Sequence, residues 1–315
     1  MLEHMNHRSS YVPRFIGPAV HVVPALCLTL MVSLASSAAA QTPTKAPPDP
    51  NPGNLTVTGS FDAVSTYMFR GFRQNSTGIA LWPVADVGIA IYTGTGGLKS
   101  ASANLGTWNS LNTGDTGADG PTGKLWYESD FYSTLTLGFG GGTSVATTYT
   151  AYTSPNNAFT TVKEIALKAA VDDSAYLGKA ALKPYALVGF EFDTKPGEGQ
   201  ADGGSKAGRY LELGVAPGYA ASRASVSVPV KIGLSLANYY ELNTGTATEP
   251  VFVDKKFGYF SVAGLVTVPL GAISRFGTWN LHGGVEFQAL GDTTKSFNGG
   301  DGSRVIGSVG IGFSY

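Results

Sequence analysis

The side chains in this sequence that could act on another molecule are mostly charged groups spaced two residues apart. Glu128 and Asp130 form one such pair, and Glu191 and Asp193 form another. Residues two apart on a β-strand point to the same face of the sheet. Carboxylates gathered on one face attract cations and repel anions, as rings of acidic side chains do in pores. The pattern therefore favours electrostatic selection of small solutes.

Groups suited to catalysis or to metal binding are scarce. His282 is the only histidine after residue 40, and the only cysteine, Cys27, lies near the N-terminus. No Gly-x-Ser-x-Gly nucleophile elbow occurs, and no histidine–carboxylate cluster could hold a metal. The segment 115–120 has a faint likeness to a calcium loop, but Trp126 stands where the last ligand, a glutamate, belongs. We therefore expect no enzyme, no cofactor and no metal site, with His282 as a structural wall residue.

Composition excludes other classes of function. Only 14% of residues are charged, and 42 of the 315 are glycine, which argues against a helical bundle or a coiled coil. The 21 basic and 22 acidic residues give a net charge of −1, so no basic stripe is present to follow a phosphate backbone. Nucleic acid is therefore not an expected partner.

The N-terminal region has the pattern of an export signal. Arg8 and Arg14 precede an uncharged apolar stretch that ends in small residues at Ala40. This pattern predicts a signal peptide over 1–40, cut after about Ala40. Five prolines then mark 41–53 as a linker. The remaining residues, 54–315, are predicted to form one domain.

Apolar and polar residues alternate along most of that domain. In the last segment Val305, Val309, Ile311, Phe313 and Tyr315 share one face, while small residues share the other. A period of two indicates strands with one apolar and one polar face. Twelve such segments are predicted: 55–70, 79–93, 98–110, 124–139, 143–153, 160–175, 180–194, 208–222, 226–242, 256–270, 277–291 and 303–315. Their connections alternate between short and long, with one short turn expected at Gly178–Ala180.

Strand length separates the two architectures that fit many alternating strands. Strands of soluble sandwiches average about 5–6 residues, whereas a tilted strand that crosses a bilayer needs about 9–11. The predicted fold is therefore all-β, a transmembrane antiparallel up-and-down barrel of about 12 strands. Aromatic residues that we expect in the interfacial girdles are Tyr67, Phe69, Phe131, Phe139, Phe190, Phe192, Tyr240, Trp279 and Phe313.

The charged residues of the strands are predicted to face the lumen, because a charge facing lipid costs about 2–4 kcal/mol at mid-bilayer. The inward acids are Asp62, Asp86, Glu128, Asp130, Glu164, Glu191, Asp193, Glu212, Glu241 and Glu286, and the inward bases are Arg70, Lys168, Lys183, Lys231 and Arg304. We select eight as candidate pore-lining residues: Arg70, Asp86, Glu128, Asp130, Glu191, Glu212, Lys231 and Glu286. Two interpretations remain open. The acids form a cation-attracting vestibule, or Arg70 with Glu128 and Asp130 forms a buried network in a plugged lumen.

Three stretches resemble a known family. The segment Ser65-Thr66-Tyr67-Met68-Phe69-Arg70-Gly71 is similar to the Ser-x-Tyr-x-aromatic-Arg-Gly opening of the TorF-type porin family. The segment 126–132 resembles that family's Glu-x-Asp-x-Tyr strand, and Tyr149, Tyr152, Pro155 and Pro184-Tyr185 resemble its later strands. The resemblance is strongest over 55–155. It implies an outer-membrane barrel with a channel-like role and an unassigned substrate.

The function expected from these features is passive diffusion of small hydrophilic solutes across a bacterial outer membrane, with a weak cation preference. The alternatives are a non-conducting structural or surface-binding barrel and, less favoured, an outer-membrane lipid hydrolase. Expected partners are outer-membrane lipid, small solutes and the barrel-assembly machinery, which would recognise the C-terminal aromatic Tyr315. The oligomeric state stays open.

Overall fold

The computed structural model describes residues 53–114, 116, 124–192, 200–202, 204, 206–221, 223–246, 248–272 and 277–315. The predicted signal peptide over 1–40 lies outside the described residues, as do nearly all of the predicted linker, Asp193 and most of the segment that resembles a calcium loop. No helix among the described residues is long and apolar enough to cross a membrane.

Twelve strands form the closed sheet of the described chain, and two short hairpins, Met68–Phe69 with Phe72–Arg73 and Glu241–Asn243 with Phe252–Asp254, lie outside it. In order, the twelve strands are β1 Leu55–Val64, β2 Ala80–Thr93, β3 Leu98–Asn112, β4 Trp126–Phe139, β5 Thr143–Thr153, β6 Val162–Val171, β7 Tyr185–Glu191, β8 Arg209–Val215 with its continuation Gly218–Ala220, β9 Ser225–Ser227 with Val230–Ala237, β10 Phe257–Ala272, β11 Thr278–Leu290 and β12 Ser303–Ser314.

Each strand pairs antiparallel with its sequence neighbours, and β1 also pairs with β12. Phe61 lies opposite Ile311 across that seam, and the last residue, Tyr315, exchanges backbone hydrogen bonds with Val57 at 2.6 and 2.8 Å. The sheet is therefore closed, which leaves no unpaired edge. The prediction of an antiparallel barrel of about twelve strands is confirmed.

Prolines explain why two of the strands are interrupted. Pro217 lies in the gap within β8, and Pro229 lies in the gap within β9. Proline has no N–H to donate to the ladder, so regular pairing stops at these positions. The two gaps are neighbours, since Val228 donates its N–H to the carbonyl of Pro217 at 2.8 Å.

The two faces of the barrel differ in polarity. On β12, Val305 and Val309 are 60% and 56% exposed on the outside, while Gly310 and Gly312 are buried on the inner side. The same division holds on β4, where Phe131 is exposed and Asp130 is buried. A continuous apolar outer surface of this kind is stable when lipid covers it.

The connections divide the barrel into two ends. We call the end with the connections 94–97, 140–142, 172–184, 221–224 and 273–277 the turn end, and the opposite end the loop end. One turn differs from the prediction, because β7 starts at Tyr185 instead of 180. The connection 172–184 instead contains α1, Ser174–Leu177, and Asp173 accepts backbone N–H bonds from Leu182 and Lys183 at 3.1 and 2.9 Å.

Candidate functional site

The chain between β1 and β2 folds into the barrel lumen. Met68–Phe69 pairs with Phe72–Arg73 in a short hairpin, and Tyr67, Phe69 and Phe72 are 1% exposed or less. We call residues 67–75 the plug hairpin. The predictions that β1 extends to residue 70 and that Tyr67 and Phe69 belong to an interfacial girdle are therefore wrong. Inside the barrel, Tyr67 packs against Trp108 and Phe72 packs against Tyr240, and Phe69 is 1% exposed.

The tip of the plug hairpin has an unusual backbone. Arg70 and Gly71 are the two residues of the turn, with φ of 43° and 88°. A two-residue hairpin turn with positive φ at both positions favours Asn-Gly or Asp-Gly, and arginine there is strained. Gly71 also has no room for a side chain, since a Cβ would lie 2.8 Å from a methyl group of Thr294. Contacts of the arginine side chain must therefore hold the tip in place.

Arg70 makes those contacts with the opposite wall. Its guanidinium donates to both carboxylate oxygens of Glu164 on β6, at 2.7 and 2.9 Å, and to the hydroxyl of Tyr239 at 2.7 Å. It also stacks on the ring of Tyr210, 3.9 Å from the ring centre. The predicted buried arginine–carboxylate network thus has a different acid: the guanidinium pairs with Glu164 and not with Glu128 or Asp130.

The helix after β11 secures the plug hairpin from the loop end. This helix, α2, spans Asp292–Phe297 and is followed by the buried Asn298. The Asn298 amide donates to the Gly71 carbonyl at 2.7 Å, and its oxygen accepts the N–H of Arg73 at 3.0 Å. Tyr240 adds a hydroxyl bond to the Arg70 carbonyl at 3.0 Å. Tyr240, predicted as a girdle residue, therefore lies inside the barrel.

Below the tip, Glu212 gathers three tyrosine hydroxyl groups. Tyr185, Tyr210 and Tyr259 donate to its carboxylate at 2.8, 2.7 and 2.8 Å. Tyr259 lies directly over Gly233 on the neighbouring strand, where a side chain would collide with the ring. This layer links β7, β8 and β10 across the inner wall. Glu212 thus organises the wall beneath the plug hairpin.

Glu128 and Asp130 lie side by side on β4 and are almost fully buried. Tyr67 of the plug hairpin donates to one Glu128 oxygen at 2.8 Å. The other Glu128 oxygen and both Asp130 oxygens meet no hydrogen-bond donor in the described part of the chain. Two neighbouring buried carboxylates cannot both ionise at low cost. The pair can therefore hold a shared proton or attract a small cation.

Part of the inner wall is less buried than the surroundings of the plug hairpin. Side chains of Lys231, Glu286 and His282 are 15%, 22% and 24% exposed, whereas Glu128 and Tyr210 are 0% exposed. Lys231 and Glu286 lie 3.9 Å apart there.

The eight candidate pore-lining residues differ in burial. Asp86 lies on the wall and accepts the Asn104 amide at 2.7 Å. Glu191 accepts backbone N–H groups of Ala201 and Gly208 at 3.0 and 3.2 Å, so it anchors a loop-end connection. The buried members are Arg70, Glu128, Asp130, Glu191 and Glu212, and the partly exposed members are Asp86, Lys231 and Glu286.

Several residues that build this site were not selected from the sequence. The sequence predicts Glu164 to face inward, but not that it meets Arg70, and the pattern alone does not indicate Tyr210, Tyr239 or Asn298. The spacing of Tyr210 and Glu212 on one face was an available signal. The alternation of tyrosine with acid along an inward face would have pointed to this layer.

His282 belongs to a separate polar group on the wall. Its Nε2 contacts an Asp62 oxygen at 2.5 Å and its Nδ1 contacts the Asn280 side-chain oxygen at 2.8 Å. Ser60 donates to the other Asp62 oxygen at 2.8 Å. Among the described residues, no three side chains come together as metal ligands.

Comparisons with known proteins find likeness in structure alone. No family model and no curated protein matches this chain, so the resemblance to the TorF-type porin family remains a prediction.

Several solved structures are similar in shape to this chain, among them the following three. An outer-membrane channel from Pseudomonas putida F1 has a TM-score of 0.44 at 10% identity, with 88% of this chain and 100% of that chain covered. The NanC porin has a TM-score of 0.39 at 13% identity, covering 82% and 98%. The outer-membrane phospholipase A of Escherichia coli has a TM-score of 0.39 at 11% identity, covering 81% and 92%. Likeness at this level says nothing about what this barrel binds or transports.

Proposed function

We propose that this protein is an outer-membrane channel for small hydrophilic solutes, with a weak preference for cations, and that the plug hairpin closes it. The proposal rests on which part of the chain obstructs the lumen. A connecting segment fills part of the lumen, while the wall itself consists of twelve strands. Eight strands are normally filled by wall side chains, and sixteen to eighteen leave an open channel. A twelve-stranded wall lies between these cases and encloses a passage once the segment moves.

The charge of the interior supports the cation preference. The buried charged side chains among the described residues are eight acids and one base. The acids are Asp62, Glu128, Asp130, Glu164, Glu191, Asp202, Glu212 and Glu241, and the base is Arg70. Because the one base in this buried set is carried by the plug hairpin, its movement would leave an acidic excess among the buried side chains. Such an excess raises the local concentration of cations and opposes anions.

Export and membrane assembly belong to the same proposal. The signal peptide would be removed after about Ala40, and the apolar outer face would meet outer-membrane lipid. Tyr315, which is 42% exposed at the closing seam, is our candidate for recognition by the barrel-assembly machinery. Replacing Tyr315 with Ser should lower the amount of folded barrel in outer-membrane fractions. Equal amounts in the two strains would contradict this role.

The test of channel function is electrical recording in planar bilayers. We expect rare openings from the wild-type barrel and a steady conductance after residues 67–75 are replaced by a short Gly-Ser turn. In a salt gradient, the reversal potential of the shortened variant should indicate cation selectivity. Heat-modifiable gel migration verifies that both proteins are folded. A folded, shortened barrel that does not conduct would support the non-conducting structural alternative, and an anion-selective conductance would overturn the cation preference.

A further inference from the structure

We propose that the pocket occupied by the Arg70 guanidinium is a binding site for guanidinium-bearing solutes, which compete with Arg70 for it. Access of such solutes from outside rests on the proposed function, because the plug hairpin must move before the pocket is free. Guanidinium-bearing molecules are then the solute class for which this lumen is best suited. It makes Arg70 an internal substitute for that solute.

The pocket is built by parts of the chain other than the plug hairpin. Glu164 lies on β6, Tyr210 lies on β8, and Tyr239 follows β9. All three are buried, with Glu164 2% exposed and both tyrosines at 1% or less. Their positions are set by the barrel and by its loop-end connections. The same three groups therefore face the lumen when the hairpin tip is elsewhere.

The geometry of these groups suits a planar guanidinium better than an ammonium. Glu164 accepts through both oxygens, at 2.7 and 2.9 Å, which matches the fork of two parallel N–H groups. Tyr210 offers a ring face at 3.9 Å, on which a flat cation stacks. The Tyr239 hydroxyl accepts a further N–H at 2.7 Å. An ammonium ion is a compact charge that uses neither the fork nor the stacking face fully.

Charge around the pocket also favours a cation from solution. The buried Glu164 carboxylate pairs with the Arg70 guanidinium at 2.7 Å. With Arg70 withdrawn, Glu164 would lose this partner. The empty pocket would then hold uncompensated negative charge in a low-dielectric interior. A diffusible guanidinium would restore the missing partner.

Strain at the tip of the plug hairpin favours its departure from the pocket. Arg70 is held at a φ of 43°, a conformation that L-residues other than asparagine and aspartate rarely adopt. Its Nε is buried without an acceptor among the described residues. The hydrogen bonds of the guanidinium are therefore made by its two terminal nitrogens, beside the stacking contact with Tyr210. A free guanidinium carries no backbone strain and can turn to suit the three acceptor groups.

The experiment is chemical rescue of Arg70→Ala in the full mature chain, with folding followed by heat-modifiable gel migration in detergent. Low-millimolar guanidinium chloride is compared with ammonium chloride at constant ionic strength. We expect guanidinium to raise the unfolding temperature of Arg70→Ala by several degrees in a saturable manner, with ammonium giving less than half of that shift. The matched control is Arg73→Ala, which removes the same charge from the same hairpin. Arg73 is only partly buried, and its guanidinium lies 4.0 Å from Asp301.

An equal response to both salts in Arg70→Ala, or an equal response of Arg73→Ala, would overturn the proposed site. Adding Glu164→Gln to Arg70→Ala should abolish the saturable part of the guanidinium effect. If Arg70→Ala does not fold alone, its folded yield on refolding with guanidinium against ammonium gives the same comparison. A higher yield with guanidinium supports the site, and equal yields reject it.

Bilayer recordings keep this inference distinct from the proposed channel. Rescue of Arg70→Ala by guanidinium together with a shortened barrel that does not conduct would mean that the pocket exists but the channel does not. Conductance of the shortened barrel without any rescue of Arg70→Ala would mean that the channel exists but the guanidinium site does not. In a conducting barrel with the site, arginine amide should slow sodium current through wild-type openings more than lysine amide at equal concentration. Equal slowing would reject competition for the pocket.

Discussion

His282 on β11 and Asp62 on β1 join across the intervening strand β12. Their side chains meet at 2.5 Å above Gly310, the residue on β12 that lies opposite both of them. A side chain at position 310 would occupy the space that the carboxylate and the imidazole now share. The glycine therefore allows a contact between strands that are not hydrogen-bonded to each other. This contact reinforces the closing seam of the barrel.

We predict that Gly310→Ala weakens the seam, because the added methyl group collides with Asp62 and His282. The free energy of unfolding should fall by about 1–3 kcal/mol, as is usual for overpacking. Urea unfolding in detergent or lipid, followed by tryptophan fluorescence, measures the change. Gly307→Ala on the same strand is the matched control, since the nearest atom to its new Cβ is 4.0 Å away. Equal losses in both variants would contradict the explanation.

Glu212→Gln should destabilise the layer beneath the plug hairpin. Three tyrosine hydroxyls donate to the carboxylate, and an amide offers one acceptor oxygen in place of two. At least one phenol then faces an N–H₂ group, with an expected cost of about 1–3 kcal/mol. Tyr185→Phe removes one donor and leaves the acceptor intact, so its cost should be smaller. The urea midpoints of the two variants test this order, and a larger loss for Tyr185→Phe would refute it.

Asn298→Ala should loosen the plug hairpin without opening the wall. The side chain satisfies the Gly71 carbonyl and the Arg73 N–H, and both would lose their partner at a cost of about 1–3 kcal/mol each. Hydrogen–deuterium exchange of residues 67–75 should become at least about tenfold faster. Lys295→Ala, on the exposed side of α2, serves as the control. Unchanged exchange in Asn298→Ala would show that other contacts alone hold the hairpin.

A pH dependence is expected from Asp202 in the loop-end connection that follows β7. Burial raises the pKa of its carboxyl to about 7, although the N–H groups of Gly204 and Glu241 donate to it. In the unfolded chain an aspartate ionises near about 3.9. The folded protein therefore binds more protons between these values, and stability falls as the pH rises through about 4 to 7.

The variant Asp202→Asn removes this dependence. The free energy of unfolding of the variant, relative to that of wild type, should rise by on the order of 2 kcal/mol when the pH is raised from 5 to 8. Urea midpoints at the two pH values measure the difference. Asp292→Asn, whose carboxylate is 71% exposed, is the control and should shift little. A wild-type–variant difference that stays constant from pH 5 to pH 8 would exclude Asp202 as the source.

The number of strands and the inward position of the charges could be predicted because both depend on local information. A period of two is visible within each segment, so the faces of β4 and β12 follow from residues such as Asp130 and Val309 alone. Charges are expensive in lipid, which assigns the polar face to the lumen without knowledge of neighbouring strands.

The site depended on information that periodicity does not contain. Arg70 and Glu164 are 94 positions apart in sequence. Their contact depends on the position of β6 along the barrel axis relative to the plug hairpin, which leaves the wall. The aromatic residues after β1 fit a wall strand and a segment folded into the lumen equally well, because both remove apolar rings from water. Which of the two forms depends on the space that the closed barrel encloses.

By itself the sequence determined a closed twelve-stranded wall with an apolar outside and an acidic inside, since alternation and the cost of charge in lipid act residue by residue. The tertiary structure alone decided that residues 67–75 turn inward and that Arg70 meets Glu164, Tyr210 and Tyr239. Those contacts join segments distant in sequence, and their free energy exists only when the barrel has closed around them.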